Sequence, residues 1–282
     1  MKSVRDILTL TDHHLRQHHI AQSRRQAELL VADILNMSRL DLYLNFDRPL
    51  TENELHLCRE ALKRRSRHEP LEYIKGEVAF YNCLFKVDPN VLIPRQETEI
   101  LVDKVVSELR SQNLNQKIFW DLCCGSGCIG ISVKCALPEL HVVLSDISPE
   151  AVEIAKLNAK QNQTQVEILQ GDFFAPFKGK QADFIACNPP YISKNEFLSL
   201  EEDVRKWEPQ LALIGGETGL EYYAKMAAEL KPFLKKKGKV WCELGFSQGK
   251  DVLNIFEMAG WNKLCVDQDW SGHDRFFSLE NE

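Results

Sequence analysis

No stretch of this sequence approaches the roughly 20 consecutive apolar residues that a membrane-spanning helix needs. The opening Met1-Lys2-Ser3-Val4-Arg5-Asp6 leads into no apolar core and no small-residue cleavage site, so no secretory signal is read there. A cytoplasmic protein with no membrane partner is the expectation. An excess of positive charge is also missing. Lys and Arg number 35 against 41 Asp and Glu, for a net charge of −6 and a pI near 5.8. Sequence-blind binding to nucleic acid relies on Lys and Arg displacing counterions from phosphates, so no stable nucleic-acid partner is expected. The deficit is uneven, with +2 through residue 76 and −8 over the remainder. The nine cysteines include no Cys-x-x-Cys pair, and their number is odd. Without export they read as reduced thiols, not as a disulfide framework or a zinc site. His14 and His18 have the i,i+4 spacing of a metal pair, but no third ligand stands near them, so they read as a solvated helix end. Internal repeats and low-complexity tracts are absent too.

What remains is a 282-residue chain with 44% hydrophobic residues, long enough for one large or two modest domains. Residues 1–76 read as a small helical domain. The segment from Gln26 to Asn36 sets Leu29, Leu30, Ile34 and Leu35 on one stripe at helical spacing. Thr51 with Glu54 is a capping box opening a helix with Leu55, Cys58 and Leu62 on one face. That helix ends in the basic run Lys63-Arg64-Arg65-Ser66-Arg67, either a solvated last turn or a patch for an acidic or RNA-bearing partner. Residues 77–91 read as a β-hairpin linker, because Phe80–Val87 is aromatic and β-prone and Asp88-Pro89-Asn90 supplies a turn signal.

Residues 92–282 read as an α/β domain. Strand-like runs at Ile118–Leu122, His141–Asp146, Val166–Gln170, Asp183–Cys187 and Lys239–Leu244 alternate with helical ones. The helical runs are Cys128–Leu137, Pro149–Gln161, Gly219–Lys235 and Gln248–Ala259. Such alternation predicts a parallel sheet with helices on both faces. Asn262–Val266 and Arg275–Leu279 suit a terminal hairpin.

The first of these strands runs into Asp121-Leu122-Cys123-Cys124-Gly125-Ser126-Gly127-Cys128-Ile129-Gly130. Gly125, Gly127 and Gly130 satisfy G-x-G-x-x-G between a strand and a helix, the context that gives this pattern meaning. Glycine lets the backbone pass close beneath a ligand, and the helix N-terminus offers free N–H groups. The next strand ends in Asp146, 21 residues after Gly125, where a carboxylate can accept both hydroxyls of a ribose. An adenosine-bearing cofactor follows, either NAD or S-adenosylmethionine.

The end of the fourth strand separates the two. Ala186-Cys187 is followed by Asn188-Pro189-Pro190-Tyr191. A plain strand terminator accounts for the prolines, but not for an Asn before them and a Tyr after them at the cofactor crevice. The Asn188 carboxamide oxygen and the Pro189 carbonyl are two acceptors in fixed geometry, suited to the two donors of a planar NH2 group. A dehydrogenase leaves this motif without a purpose.

Asp-x-x-x-Gly-x-Gly with Asn-Pro-Pro-Tyr resembles the class I S-adenosylmethionine-dependent methyltransferases that modify planar nitrogens. Pro70-Leu71-Glu72-Tyr73-Ile74-Lys75-Gly76, Leu92-Ile93-Pro94-Arg95-Gln96-Glu97-Thr98-Glu99, Asp203-Val204-Arg205 with Glu208-Pro209, and Gly215–Leu220 extend the likeness over essentially the whole chain. Together they resemble the release factor glutamine methyltransferases (the PrmC/HemK family). That resemblance implies a Rossmann-like class I methyltransferase sheet behind a helical substrate-recognition domain and a connecting hairpin. It also implies methylation of the glutamine amide in the Gly-Gly-Gln motif of class I peptide chain release factors, with S-adenosylmethionine as cofactor. Carried over by position, Cys123, Cys124, Gly125, Ser126 and Gly127 form the cofactor loop, and Asp146 holds the ribose. Asp172 and Phe173 border the adenine, and Asn188, Pro189, Pro190 and Tyr191 grip the glutamine, with Asn188 also facing the cofactor. One departure is Cys123, where the family usually has glycine. An adenine-N6 or guanine-N2 nucleic-acid methyltransferase shares Asn-Pro-Pro-Tyr and finds its support in the Lys63–Arg67 run, against the acidic balance.

Overall fold

The structure, a computed structural model, describes residues 2–282. It divides into two compact units: the residues through Gly76 together with Glu201–Trp207, and Glu77–Leu200 together with Glu208–Glu282. No helix of the described residues is long and apolar enough to cross a membrane.

The first unit is helical, with α1 (Val4–Gln17), α2 (Ser23–Leu35), α3 (Arg39–Leu44), α4 (Glu52–Arg65) and α5 (Leu71–Lys75). Ser3, Ser38 and Thr51 each accept a backbone N–H at a helix start, with Asp6, Asp41 and Glu54 completing capping boxes. Val4, Leu8, Leu30, Val31, Leu42, Leu50, Leu55 and Cys58 form its core. The stripe expected on α2 is rotated: Leu29 is exposed, and Ala27, Leu30 and Val31 face inward. Glu28 is buried with them because Arg24 and Arg39 donate to its two oxygens, at 2.9 and 3.1 Å, and satisfy the charge.

Much of the basic run is internal glue. Arg65 is 4% exposed and donates to Asp203 Oδ2 at 2.6 Å, to the Glu69 carbonyl at 3.0 Å and to Gln26 at 3.2 Å. Arg64 pairs with Glu69 at 2.9 Å. His68 Nδ1 meets Asp203 Oδ1 at 3.0 Å, and the Trp207 indole donates to the Arg67 carbonyl at 3.1 Å. The run therefore ties the short helix Glu202–Trp207 into the first unit, leaving Lys63 and Arg67 as its outward charges besides the Arg64–Glu69 pair.

The second unit opens with the hairpin β1 (Glu77–Phe80) and β2 (Cys83–Lys86). Its turn is Tyr81-Asn82, both at positive φ as a two-residue hairpin turn demands, and not the Asp88-Pro89-Asn90 signal. A long helix α6 (Gln96–Leu109) follows, then β3 (Ile118–Leu122), α7 (Cys128–Ala136), β4 (His141–Asp146), α8 (Pro149–Gln161), β5 (Glu167–Gln170) and β6 (Ala182–Cys187). The short strands β7 (Ile192–Ser193) and β8 (Ile214–Gly216) pair with each other. Then come β9 (Leu234–Glu243), β10 (Lys263–Gln268) and β11 (Asp274–Glu280). The helix expected over Gly219–Lys235 runs only Glu221–Glu229, because Leu234 and the residues after it join β9.

The main sheet has the order β10-β11-β9-β6-β3-β4-β5. β4, β3, β6 and β9 run parallel with β5, and β11 lies antiparallel between β9 and β10 as the expected terminal hairpin. This is the mostly parallel α/β sheet that the alternation predicts. Strand alternation splits the core in two. Phe119, Val142, Leu144, Phe184 and Ala186 face a core built with α6, α7 and the hairpin pair Phe80 and Phe85. Trp120, Val143, Ile185 and Cys187 face the opposite core with Phe177, Tyr223, Phe256 and Phe277. Burial on both faces is why these strands read as near-continuous apolar runs. The chain leaves β3 for β4 on one side and reaches β6 on the other, so a crevice opens at the strands' C-terminal ends, where such sheets bind ligands.

Candidate active site

That crevice is a cavity whose walls come from the C-terminal ends of β3, β4, β5 and β6 and from the segments before α6 and β8. Cys123, Cys124, Gly125, Ser126, Asp146, Asp172, Phe173, Asn188 and Pro190 line it, so the structure brings together most residues singled out from the sequence. Gly127, Pro189 and Tyr191 adjoin these residues in sequence without being among the lining. Gly127 caps α7 at φ +81, where a side chain is strained, and a Cβ there would also stand 2.8 Å from Ile131 and 3.0 Å from Leu144.

The loop between β3 and α7 is built tightly. Cys123 has φ +54 and Gly125 φ +52, left-handed conformations that glycine adopts without cost. The cysteine thus occupies a backbone position that glycine would adopt without cost, at the point where the resemblance implies a glycine. Asp146 fastens the loop: its Oδ2 accepts Gly125 N–H at 2.8 Å, and its Oδ1 accepts Ser148 N–H at 2.9 Å. Burial pushes the Asp146 carboxyl up, opposed by the N–H groups of Ser148, Gly125 and Ile147. Asn158, wholly buried on α8, donates to the Ser126 carbonyl at 2.9 Å and exchanges two hydrogen bonds with Lys86. The hairpin is thereby pinned to the loop.

Phe173, also left-handed at φ +49, is buried at the cavity wall and meets Tyr222 edge-on, ring centroids 5.9 Å apart. Asp172 is more open and pairs with Lys225 at 2.7 Å. Burial raises the Tyr222 hydroxyl to about 12, so it stays protonated.

The backbone after β6 is braced by close approaches. A Cβ on Gly215 would stand 2.3 Å from the Pro190 carbonyl oxygen, and one on Gly219 2.3 Å from that of Tyr191. Gln248 donates to the Tyr191 carbonyl at 2.9 Å. Asn188 Nδ2 donates to Thr98 Oγ1 at 3.3 Å, Thr98 Oγ1 donates to Glu243 Oε2 at 2.6 Å, and the Tyr191 hydroxyl donates to Glu243 Oε1 at 3.3 Å. Neither Thr98 nor Glu243 was given a role from the sequence. The one available signal is an acidic residue closing the apolar run Val240-Trp241-Cys242 at the edge where ligands bind. In front of the cavity, Glu208 accepts from Ile93 N–H at 3.2 Å and pairs with Arg95, ordering the Leu92–Gln96 approach to α6.

Two family models match the chain. Residues 6–76 match the PrmC N-terminal domain, and residues 96–204 match the methyltransferase small domain. A release factor glutamine methyltransferase of Chlamydia trachomatis serovar L2 is 40% identical over 280 residues, covering 99% of this chain and 94% of that protein. The chain belongs to the release factor glutamine methyltransferase family. A relative of the same name from Leptospira interrogans is 38% identical over 281 residues, 98% of each chain. Among solved structures, the T. thermophilus 16S rRNA N2 G1207 methyltransferase superposes with a TM-score of 0.52 at 12% identity, over 73% of this chain and 50% of that one. That likeness shows the fold alone. Membership makes the chain an enzyme of the methyltransferase class, and the dinucleotide reading of its glycine loop falls.

Proposed function

We propose that this enzyme transfers a methyl group from S-adenosylmethionine to the side-chain amide nitrogen of the glutamine in the Gly-Gly-Gln motif of class I peptide chain release factors, modulating translation termination. The observation that carries the reading is Asn188-Pro189-Pro190-Tyr191 at the end of β6, with Asn188 facing the cavity that the glycine loop floors.

The residues fit that cofactor. Each Asp146 oxygen accepts one N–H and keeps a further lone-pair site, which gives two acceptors for a cis-diol. A Cβ on Gly125 would meet nothing within 4 Å, so the loop leaves open space at the helix N-terminus. Phe173 and the Asp172 backbone supply an apolar wall with a polar edge, suited to a purine. When bound, the cofactor supplies a methyl group activated by sulfonium charge.

The chain's own task is alignment. An amide nitrogen is a poor nucleophile because its lone pair is delocalised into the carbonyl. Asn188 Oδ1 and the Pro189 carbonyl accept its two N–H bonds and fix the nitrogen's direction. Positioning of this kind is worth several kcal/mol, up to about 7–11 in the best cases. The same acceptors favour positive charge growing on nitrogen. Tyr191, tethered through its hydroxyl to Glu243, is assigned to stack on the amide. The nitrogen becomes acidic once methylated, so its proton leaves without a dedicated base. Residues 1–76 are assigned to recognise the release factor away from its glutamine, since many proteins display a glutamine tip.

Labelled cofactor incubated with a class I release factor and, separately, with bulk RNA tests the assignment. Label is expected in the protein alone and lost when the Gly-Gly-Gln glutamine is replaced. Asn188→Ala is expected to lower kcat about 100–1,000-fold, as loss of one preorganised polar group does, with cofactor affinity falling less. Label in RNA, or full turnover by Asn188→Ala, overturns it.

A further inference from the structure

Glu243 is 1% exposed at the last position of β9, and its two oxygens serve opposite ends of the Asn188–Tyr191 segment. Oε1 accepts the Tyr191 hydroxyl, and Oε2 accepts the Thr98 hydroxyl at 2.6 Å. Thr98, 2% exposed in the first turn of α6, accepts in turn from Asn188 Nδ2. The Tyr223 hydroxyl, at 2.8 Å from the Glu243 carbonyl, fixes the strand end from which the carboxylate projects.

A carboxylate only accepts, and a hydroxyl has one hydrogen to give. With that hydrogen committed to Glu243, Thr98 can only accept from Asn188. The Asn188 carboxamide must therefore present its NH2 to Thr98 and keep its oxygen for the cavity. We propose that Thr98 and Glu243 are positioning residues that set the polarity of the Asn188 carboxamide, so that an acceptor and not a donor meets the substrate amide. This rests on the assignment of Asn188 as an acceptor for the glutamine NH2. Burial, with the nearby Glu97 charge, pushes the Glu243 carboxyl up, while the Thr98 hydroxyl, Arg275 and the Tyr191 hydroxyl favour its charged form.

Without the relay the carboxamide is free to turn over. Its NH2 would then face the donors of the substrate amide, and alignment would be lost while the cofactor loop on β3 and α7 stayed intact. Packing and polarity make opposite demands at position 98. Thr98→Val keeps the shape and removes the hydroxyl, whereas Thr98→Ser keeps the hydroxyl and removes a methyl group. A residue needed only for packing tolerates Val better than Ser. A polarity relay tolerates Ser and not Val.

The test compares steady-state methylation of the release factor by wild type, Thr98→Val, Thr98→Ser and Glu243→Gln, with cofactor Kd measured for each. Thr98→Val is expected to lower kcat by about 10–100-fold, within the range that small misplacements cost. Its cofactor Kd should stay within about threefold of wild type, and Thr98→Ser should recover most of the rate. Glu243→Gln offers an NH2 where an acceptor stood and is expected to match Thr98→Val, which keeps the question answerable if either variant folds poorly. Wild-type kcat in Thr98→Val, or equal losses in Val and Ser, overturns the relay while leaving the activity established by the wild-type arm. A wild type inactive on the glutamine overturns both.

Discussion

Asp121 opens the Asp-x-x-x-Gly-x-Gly pattern but does not line the cavity. It is fully buried in β3, where Oδ2 accepts the Gly130 N–H at 2.8 Å and Oδ1 has no partner among the described residues. Burial raises its carboxyl to about 7, with the nearby Asp146 charge adding to the shift. A carboxyl whose folded pKa is raised is disfavoured in its charged form, so the fold binds a proton that the unfolded chain releases near pH 3.9. Stability therefore falls as pH rises from about 4 to about 7, by about 4 kcal/mol in all. Asp121→Asn removes the titration and keeps an acceptor for Gly130. Measured by denaturant unfolding, the variant is expected to gain about 3 kcal/mol relative to wild type between pH 5 and pH 8. A difference between the two proteins that does not change with pH would contradict this. The site's residues were legible in sequence where they sit together in one motif, as in the glycine loop and Asn188–Tyr191. The relay was not, because Thr98 meets Asn188 across 90 residues and Glu243 across 145, and no local spacing encodes such a meeting.

Where short elements hold the site, backbone touches backbone. β7 continues directly from Asn188–Tyr191 and pairs with β8, and at β8 Gly215 approaches the Pro190 carbonyl too closely for any side chain. Gly215 is not at positive φ, so steric access, not conformational freedom, is what requires glycine there. Gly215→Ala must push the Pro190 carbonyl away, and a shift near 1 Å at the reacting groups costs on the order of 100-fold in rate. The expected result is a kcat loss of that order with cofactor Kd nearly unchanged, read in the same methylation assay. A loss confined to cofactor binding would place the effect elsewhere. Strands buried on both faces announce themselves, so Ile118–Leu122 and His141–Asp146 fall where apolar runs place them, and the helix Pro149–Gln161 starts where Ser148-Pro149 signals it. The errors have physical causes. Leu234–Gly238 carries three lysines with good helix propensity, yet it extends a strand, with Leu234 paired to Ala182 at the start of β6. Tyr81-Asn82 lacks the glycine that usually marks a two-residue turn, while Asp88-Pro89-Asn90 carries a turn signal that closes no hairpin.

At the scale of the whole chain, the path passes between the two units three times, after Gly76, Leu200 and Trp207. Family models and contacts agree on a first unit through Gly76, but that unit also takes back Glu201–Trp207 from within the catalytic sequence. The reason is chemical. Arg65 is buried, and a buried guanidinium must be paired. Asp203 is its acidic partner, 138 residues further on, and it also receives His68. Removing residues 1–76 strips Asp203 of both partners and takes from Trp207 the Arg67 carbonyl that holds its indole. The sheet, the cavity and the relay all belong to residues 77–200 and 208–282, so a fragment 77–282 retains their contacts. The fragment is therefore expected to bind S-adenosylmethionine, while trypsin cuts at Arg205 or Lys206 at least 10-fold faster than in the full chain, an order of magnitude consistent with local opening once those tethers are gone. Equal cleavage rates in the two proteins would show that Glu201–Trp207 is held by something other than Arg65, Arg67 and His68.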